Sequence, residues 1–385
     1  MTETQEHYFS QKTKADQILD TTEVRSKSYL PEEIGLPQDW LDQRIDILEH
    51  TVPVEQNTAL IRIAEYSPTK LLEVADQTAP GITLIIFGGG ASQAPGTNVK
   101  LAVEAEKSLR QLYDQGQSIP NIKRILVVSN PSGAPKEKQH LDQDNLSTSA
   151  QLVNSALTQL RIDDQKGTIV MGFSAGGNLA IEYASLIEKQ KVDNHRQNPA
   201  QTDLVLIEPT GTVENNPGRM GYEFLIGDMM RNFNNYRSQG LGIRESWARA
   251  KQDYRVGWAT LDGVPSWKAI AKEIFAPHAR HEKYAQAFGL EKLAPQAANL
   301  GILSQANASQ AIENIKGNVL TVQMSGSGMI DHPIRTMWQD NQFKQAKSRA
   351  GITIDAPSHG SVMVDRSGKM MDQIAMWLSK NLKKH

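Results

Sequence analysis

Among its 385 residues the chain has no cysteine. That excludes a disulfide framework, a thiol nucleophile and any metal site built on thiolates. It also lacks an excess of charge of either sign. Lys and Arg number 41 and Asp and Glu 43, a formal net charge of −2. There is thus no electrostatic case for nucleic acid or an anionic membrane as partner. Long apolar runs are missing too: no window approaches the roughly 18 residues that a membrane-crossing helix needs. The opening Met-Thr-Glu-Thr-Gln-Glu-His has neither the basic nor the apolar region of a secretory leader. The expected location is cytoplasmic, although a leaderless exported protein would look the same. Nothing in the chain repeats, and no tract is of low complexity.

Nucleotide fingerprints are absent as well. Gly88-Gly89-Gly90 is followed by Ala-Ser-Gln-Ala-Pro-Gly-Thr97, which lacks the lysine of a phosphate-binding loop. No G-x-G-x-x-G register fits the triple glycine either. No cofactor and no metal are expected. His278, His281 and Glu282 have a ligand-like spacing but no evident third partner, and read as a solvated helix face. Asn145 and Asn307 match the glycosylation acceptor pattern, which has no meaning in a protein that is not secreted.

The chain does hold one informative stretch, residues 167–188. The apolar run Thr168–Met171 has the length and composition of a buried strand. Then comes Gly172-Phe173-Ser174-Ala175-Gly176, a G-x-S-x-G pattern, followed by apolar residues at helical spacing from Asn178. Strand, tight turn and helix are the context that makes this pattern a nucleophile elbow. A side chain at 172 or 176 would crowd the neighbouring strand or helix, and Ser174 would project at the positive end of the following helix.

The rest of the chain alternates in the same way. Residues 44–54 and 58–66 alternate apolar and polar, as half-buried antiparallel strands do. Ile82–Phe87, Lys123–Ser129, Asp203–Glu208, Asn318–Gln323 and Gly351–Asp355 read as strands. Helices are expected at Val99–Tyr113, at Thr148–Leu160 with Ser147 or Thr148 as cap, at Pro333–Ala346 and at Lys369–Leu382. A short helical turn is expected at Leu36–Asp42. Residues 1–30 are polar and aperiodic and read as a loosely held arm. Residues 31–211 and 301–385 form the core. Residues 212–300 break the alternation and read as a helical lid insertion, with helices near Gly221–Phe233, Ile243–Tyr254 and Trp267–Phe275 and aromatics at Tyr222, Trp247, Tyr254, Trp258 and Trp267. The fold class is α/β, a mainly parallel doubly wound sheet with helices on both faces. Ligands in such sheets bind beyond the carboxyl ends of the strands.

The candidate site residues all follow strands, on that edge. A serine hydroxyl needs a base within reach, and the base needs an orienting acceptor. His359, after the last strand, is the candidate base. Asp331, 28 residues earlier, is the preferred acid, with capping of the helix near Pro333 as its structural alternative. Glu208, at the end of the strand after the elbow helix, is the rival acid. The amides of Ala175, Gly89 and Gly90 are candidates for an oxyanion hole.

With these residues the chain resembles the α/β-hydrolase superfamily over roughly residues 44–382. The order Ser174, Asp331, His359 matches its order of nucleophile, acid and histidine. Phe87-Gly88-Gly89-Gly90 and Gly172–Ala180 are similar to the H-G-G-G and G-D-S-A-G-G-N-L-A stretches of hormone-sensitive-lipase-like esterases. Phe87 stands in place of the histidine and Phe173 in place of the aspartate, and Met329 falls where a simple alignment puts the acid. The resemblance implies a serine hydrolase of ester or thioester type. The aromatics of the lid point to a small-molecule acyl substrate of apolar or aromatic character. An acyltransferase on the same triad and a catalytically silent binding protein are the alternatives.

Overall fold

In a computed structural model, residues 22–31, 44–54, 59–74, 81–89, 96–129, 146–160, 167–193, 202–209, 212, 219, 222–257, 264–270, 308–328, 330, 332–364 and 368–382 are described. The turn expected at Leu36–Asp42, the spacing at His278–Glu282, the acceptors at Asn145 and Asn307, and residues Gly90, Trp258, Met329 and Asp331 lie outside them.

The chain runs β1 (Glu23–Tyr29), β2 (Ile45–Val54), β3 (Ala59–Tyr66), α1 (Thr69–Leu72), β4 (Ile82–Phe87), α2 (Gly96–Asp114), β5 (Ile122–Val128), α3 (Ser147–Gln159), β6 (Thr168–Phe173), α4 (Ala175–Asp193) and β7 (Thr202–Ile207). A π-helical turn (Glu223–Gly227) then leads directly into α5 (Asp228–Ser238), followed by α6 (Ile243–Val256), α7 (Ser309–Ile312), β8 (Asn318–Met324), α8 (Pro333–Gln339), β9 (Ser348–Ile354), α9 (Ser361–Val364) and α10 (Lys369–Asn381).

The nine strands form one sheet in the order β1-β2-β3-β5-β4-β6-β7-β8-β9. β1, β2 and β3 pair antiparallel with their neighbours, and the pairs from β5 through β4 to β9 are all parallel. The parallel part is covered on both faces, so β6 and β7 are buried along their whole length. Side chains alternate across the sheet and build two cores. Leu84, Ile86, Ile169 and Met171 pack with α2 and α10 on one face. Ile85, Phe87, Val170 and Leu206 pack with α3 and α4 on the other. Because α2 and α3 lie on opposite faces, the chain switches direction at β4. The loops after β4 and β6 therefore flank the crevice at the carboxyl edge, where a ligand would sit. None of the helices among the described residues is long and apolar enough to cross a membrane.

Three local expectations change. The end of the stretch read as an arm is an edge strand, β1. Its exposed Glu23 and Arg25 pair with each other and its Lys27 with Glu49 on β2, a charged pattern that suits a sheet edge. Helix α3 is capped by neither Ser147 nor Thr148. Its N-cap residue is Leu146 at φ 72°, with no side-chain cap. Helix α8 stops at Gln339 rather than Ala346, where turns with positive φ at Asn341 and Phe343 interrupt it.

Candidate active site

Ser174 occupies the single residue between β6 and α4 and has φ 55°. A non-glycine residue in this region costs about 1–3 kcal/mol and must be held there by its surroundings. Here the Ser174 amide donates to the Ile207 carbonyl at 3.0 Å, and its carbonyl accepts from the Gly177 amide at 2.9 Å. The flanking glycines are sterically required. A Cβ at Gly172 would stand 2.3 Å from the Gly176 oxygen, and one at Gly176 would stand 2.3 Å from the Gly88 oxygen. Strand β6, helix α4 and the loop after β4 thus approach one another closely only because residues 172 and 176 have no side chains.

The loop after β4 passes beside the serine. A Cβ at Gly89 would make ordinary contacts at 3.5 Å with Ser174 Cβ and with the Phe173 ring. Gly89 is therefore not demanded by packing, and its missing side chain leaves space next to the nucleophile. Ala175 begins α4, where a backbone N–H has no acceptor within the helix. The Phe87 of the altered H-G-G-G stretch belongs to the core. It is fully buried, edge-on to Tyr183 with ring centroids 5.5 Å apart.

His359 lies between β9 and α9 and is 5% exposed. Its Nδ1 is 3.2 Å from Oε2 of Glu208, a carboxylate 0% exposed. Glu208 follows β7 with φ 46°, a second left-handed residue in the site. Its amide donates to the Val322 carbonyl at 2.8 Å, and its Oε1 accepts from the Met324 amide at 2.6 Å. The carboxylate is thereby fixed between β7 and β8 with one oxygen left for the histidine. An Nδ1–H donated to Glu208 leaves Nε2 as the proton acceptor, the tautomer that a general base requires. Of the two candidate acids, Glu208 is the one placed against His359, whereas Asp331 lies outside the described residues. Gly326, in the same loop as Asp331, runs against the histidine loop: its amide donates to the Ala356 carbonyl at 2.9 Å, and a Cβ there would stand 2.5 Å from the Pro357 oxygen.

Two further residues touch the site without having been expected to. The Phe173 ring stacks on the His359 imidazole, with centroids 4.8 Å apart and planes 27° from parallel. Asp228, the first residue of α5, accepts from the His359 amide at 3.2 Å through Oδ1 and from the Gly360 amide at 2.6 Å through Oδ2. Burial pushes the Asp228 carboxyl above its ordinary value, against the opposing effects of His359, these two amides and Arg231. Asn232, one turn on, accepts from Ser358 Oγ at 3.0 Å. Arg231 pairs with both oxygens of Glu223 and lies 3.9 Å from Asp228. Sequence spacing gives no sign of these residues, since the contacts run from the segment after β7 to a loop more than a hundred residues away. Two pairs of rings among the described residues of that segment stack on each other. Phe233 stacks on Trp247 at 4.7 Å and Tyr254 on Trp267 at 5.8 Å.

No family model and no curated protein matches the chain. Among solved structures it is similar to a thermostable carboxylesterase cloned from a metagenomic library, with 16% identity, 92% of this chain and 95% of that one covered, and a TM-score of 0.47. It is also similar to a bacterial membrane phospholipase A, with 14% identity, coverage of 98% and 94%, and a TM-score of 0.45. A peroxisomal alpha-beta-hydrolase of Saccharomyces cerevisiae gives 13% identity, coverage of 95% and 90%, and a TM-score of 0.43. The assignment of fold rests on the chain's own topology. The direction switches at β4, a strained serine stands between strand and helix, and a carboxylate and then a histidine follow on the same edge in that chain order. The chain has the α/β-hydrolase fold that its motifs resemble.

Proposed function

We propose that the chain is a serine hydrolase that cleaves a carboxylic ester or thioester, with Ser174 as nucleophile, His359 as general base and Glu208 as the orienting acid. The observation that carries this reading is the buried Glu208–His359 contact at 3.2 Å, set on the same sheet edge as the strained Ser174. The reading departs from the sequence in the acid, taking Glu208 over Asp331.

Ser174 Oγ attacks the acyl carbonyl and its proton passes to Nε2 of His359. The imidazolium is stabilised by the Glu208 carboxylate, which has no water to screen it. The carbonyl oxygen becomes an oxyanion facing the amides of Ala175 and Gly89, where side-chain-free backbone leaves it room. The leaving alcohol or thiol takes the proton from His359. Water, deprotonated in turn by His359, then attacks the acyl-enzyme, and the proton passes from His359 to Ser174 Oγ as the acid is released. Residues 212–300 are proposed as a helical cover over the site, and the substrate as a small ester with an apolar acyl group. Tyr222 and Ile226, one turn apart just before Asp228, are exposed apolar residues of that segment.

A fluorophosphonate probe tests the reading, since it reacts only with an activated serine. Stoichiometric labelling of the parent at Ser174 is expected, with none in Ser174→Ala. A folded parent that takes up no probe, or a Ser174→Ala variant that hydrolyses short acyl-nitrophenyl esters at the parental rate, would show the reading to be wrong.

A further inference from the structure

The candidate base sits in a loop, with no regular structure of its own to fix it. A reacting group has to be held to within about 0.5 Å of its productive place. The contact with Glu208 fixes one nitrogen of the His359 ring, and Phe173 limits its tilt, but neither holds the backbone from which the ring hangs. The amides of the histidine and of the residue after it are held by one face of α5. Asp228 receives the amides of His359 and Gly360 on its two oxygens, and Asn232 receives the hydroxyl of Ser358. The histidine and both its chain neighbours are thus gripped by residues at i and i+4 of a single helix.

We propose that Asp228 and Asn232 are positioning residues for the reaction, acting through His359, and that α5 is part of the catalytic machinery. This rests on the assignment of Ser174, His359 and Glu208 above. Several features argue for a working role. Asp228 is 7% exposed, and a buried carboxylate is costly unless each oxygen has partners. Neither sheet core requires a charged group here. Two successive amides on one carboxylate fix the orientation of the peptide between them, which a single bond would not. The helix is itself anchored at this end. Arg231 ties Glu223 of the π-helical turn to the neighbourhood of Asp228, and Gly328 approaches that pair so closely that a Cβ would stand 2.5 Å from Arg231 Nη2. The π-helical turn directly before Asp228 is a local irregularity of the kind found at functional sites.

The test is a double-mutant cycle on the full chain, with a short acyl-nitrophenyl ester as substrate. Asp228→Asn keeps the shape and one acceptor but loses the second, and should lower kcat about 100-fold with KM within about twofold. Asn232→Ala should lower kcat about 10-fold. In a His359→Ala background, where the group being positioned is gone, Asp228→Asn should have no further effect. Parental kcat in Asp228→Asn would overturn the proposal. So would an equal loss in both backgrounds, which is what a merely structural role gives. If Asp228→Asn fails to fold by near-ultraviolet circular dichroism, Asn232→Ala takes its place in the cycle under the same criteria. A His359→Ala variant as active as the parent would instead bring down the triad assignment, and this proposal with it.

Discussion

The imidazole of His359 lies against the ring of Phe173, the residue immediately before Ser174, at 4.8 Å between centroids. The position that departs from the esterase pattern G-D-S-A-G therefore meets the candidate base directly. An aromatic pair of this kind contributes about 0.5–1.5 kcal/mol beyond its buried area. If it serves to hold the imidazole, Phe173→Leu, which keeps most of the volume but removes the ring face, should lower kcat about 2- to 10-fold. Phe173→Tyr should stay near parental. Steady-state kinetics on an activated ester check both, and equal kcat in all three proteins would remove the stacking from the account.

The two candidate acids are separated by neutral substitutions. Glu208→Gln keeps the shape but offers an amide where His359 needs a carboxylate, which disturbs the tautomer and leaves the imidazolium unstabilised. The expected loss in kcat is about 10⁴-fold. Asp331→Asn should fall within about threefold of the parent, since a residue outside the triad has no comparable interaction to lose. The opposite ranking would restore Asp331 as the acid.

Much of the fold was legible because it follows from one-dimensional periodicity. The near-continuous apolar runs at residues 82–87 and 168–171 mark strands buried on two faces, and the alternation at 44–54 marks one half-buried at the antiparallel end. The elbow was legible from its glycines, because the crowding of Gly172 against the Gly176 backbone is local to five residues, although Gly176 itself also meets the Gly88 oxygen of a distant loop. The choice of acid was not. Glu208 and Asp331 each follow a strand, and what favours Glu208 is that its Oε1 is occupied by the Met324 amide while its Oε2 points to His359. Those are contacts across 116 and 151 residues of sequence. The grip of Asp228 on the histidine loop is hidden for the same reason. Its contacts span 131 and 132 residues of sequence, and nothing in the residues 222–228 announces the π-helical turn that precedes α5. Edge strand β1 escaped because its exposed face is charged and its apolar periodicity is weak.

The glycines of the site should divide by mechanism. Gly172→Ala and Gly176→Ala each push a Cβ to 2.3 Å from a backbone oxygen that cannot swing away. Overpacking against backbone should cost at least about 3 kcal/mol and leave little soluble protein. Gly89→Ala meets only ordinary contacts, the closest at 3.5 Å, and should fold with a melting temperature within about 2 °C of the parent. Its methyl group, however, points at Ser174 and fills the space beside the nucleophile. Labelling by the fluorophosphonate probe should slow about 10- to 100-fold, the scale of a damaged oxyanion site. Normal labelling of a folded Gly89→Ala would take that loop out of the mechanism.

Away from the site, Glu65 on β3 should govern part of the response to acid. Its Oε2 is 2.8 Å from His50 Nε2 on β2, and its Oε1 is 2.6 Å from Arg124 Nε on β5. Burial by itself would raise the carboxyl, but the hydrogen bonds and charges of His50 and Arg124 outweigh it and hold it down at about 2. In the unfolded chain the same group titrates near its ordinary value of about 4.3. Between the two values the unfolded chain binds more protons, so acid favours unfolding there. The stabilisation is complete above about pH 5 and is lost as the pH falls towards 2. The carboxylate is partly open to solvent, and screening keeps the contribution to about 1–2 kcal/mol. Urea unfolding of the parent and of Glu65→Gln at pH 7 and at pH 3 measures it. The variant should be less stable at pH 7 by this amount, and the gap should shrink at pH 3. A gap that stays constant between the two would mean that Glu65 acts through packing rather than through its charge.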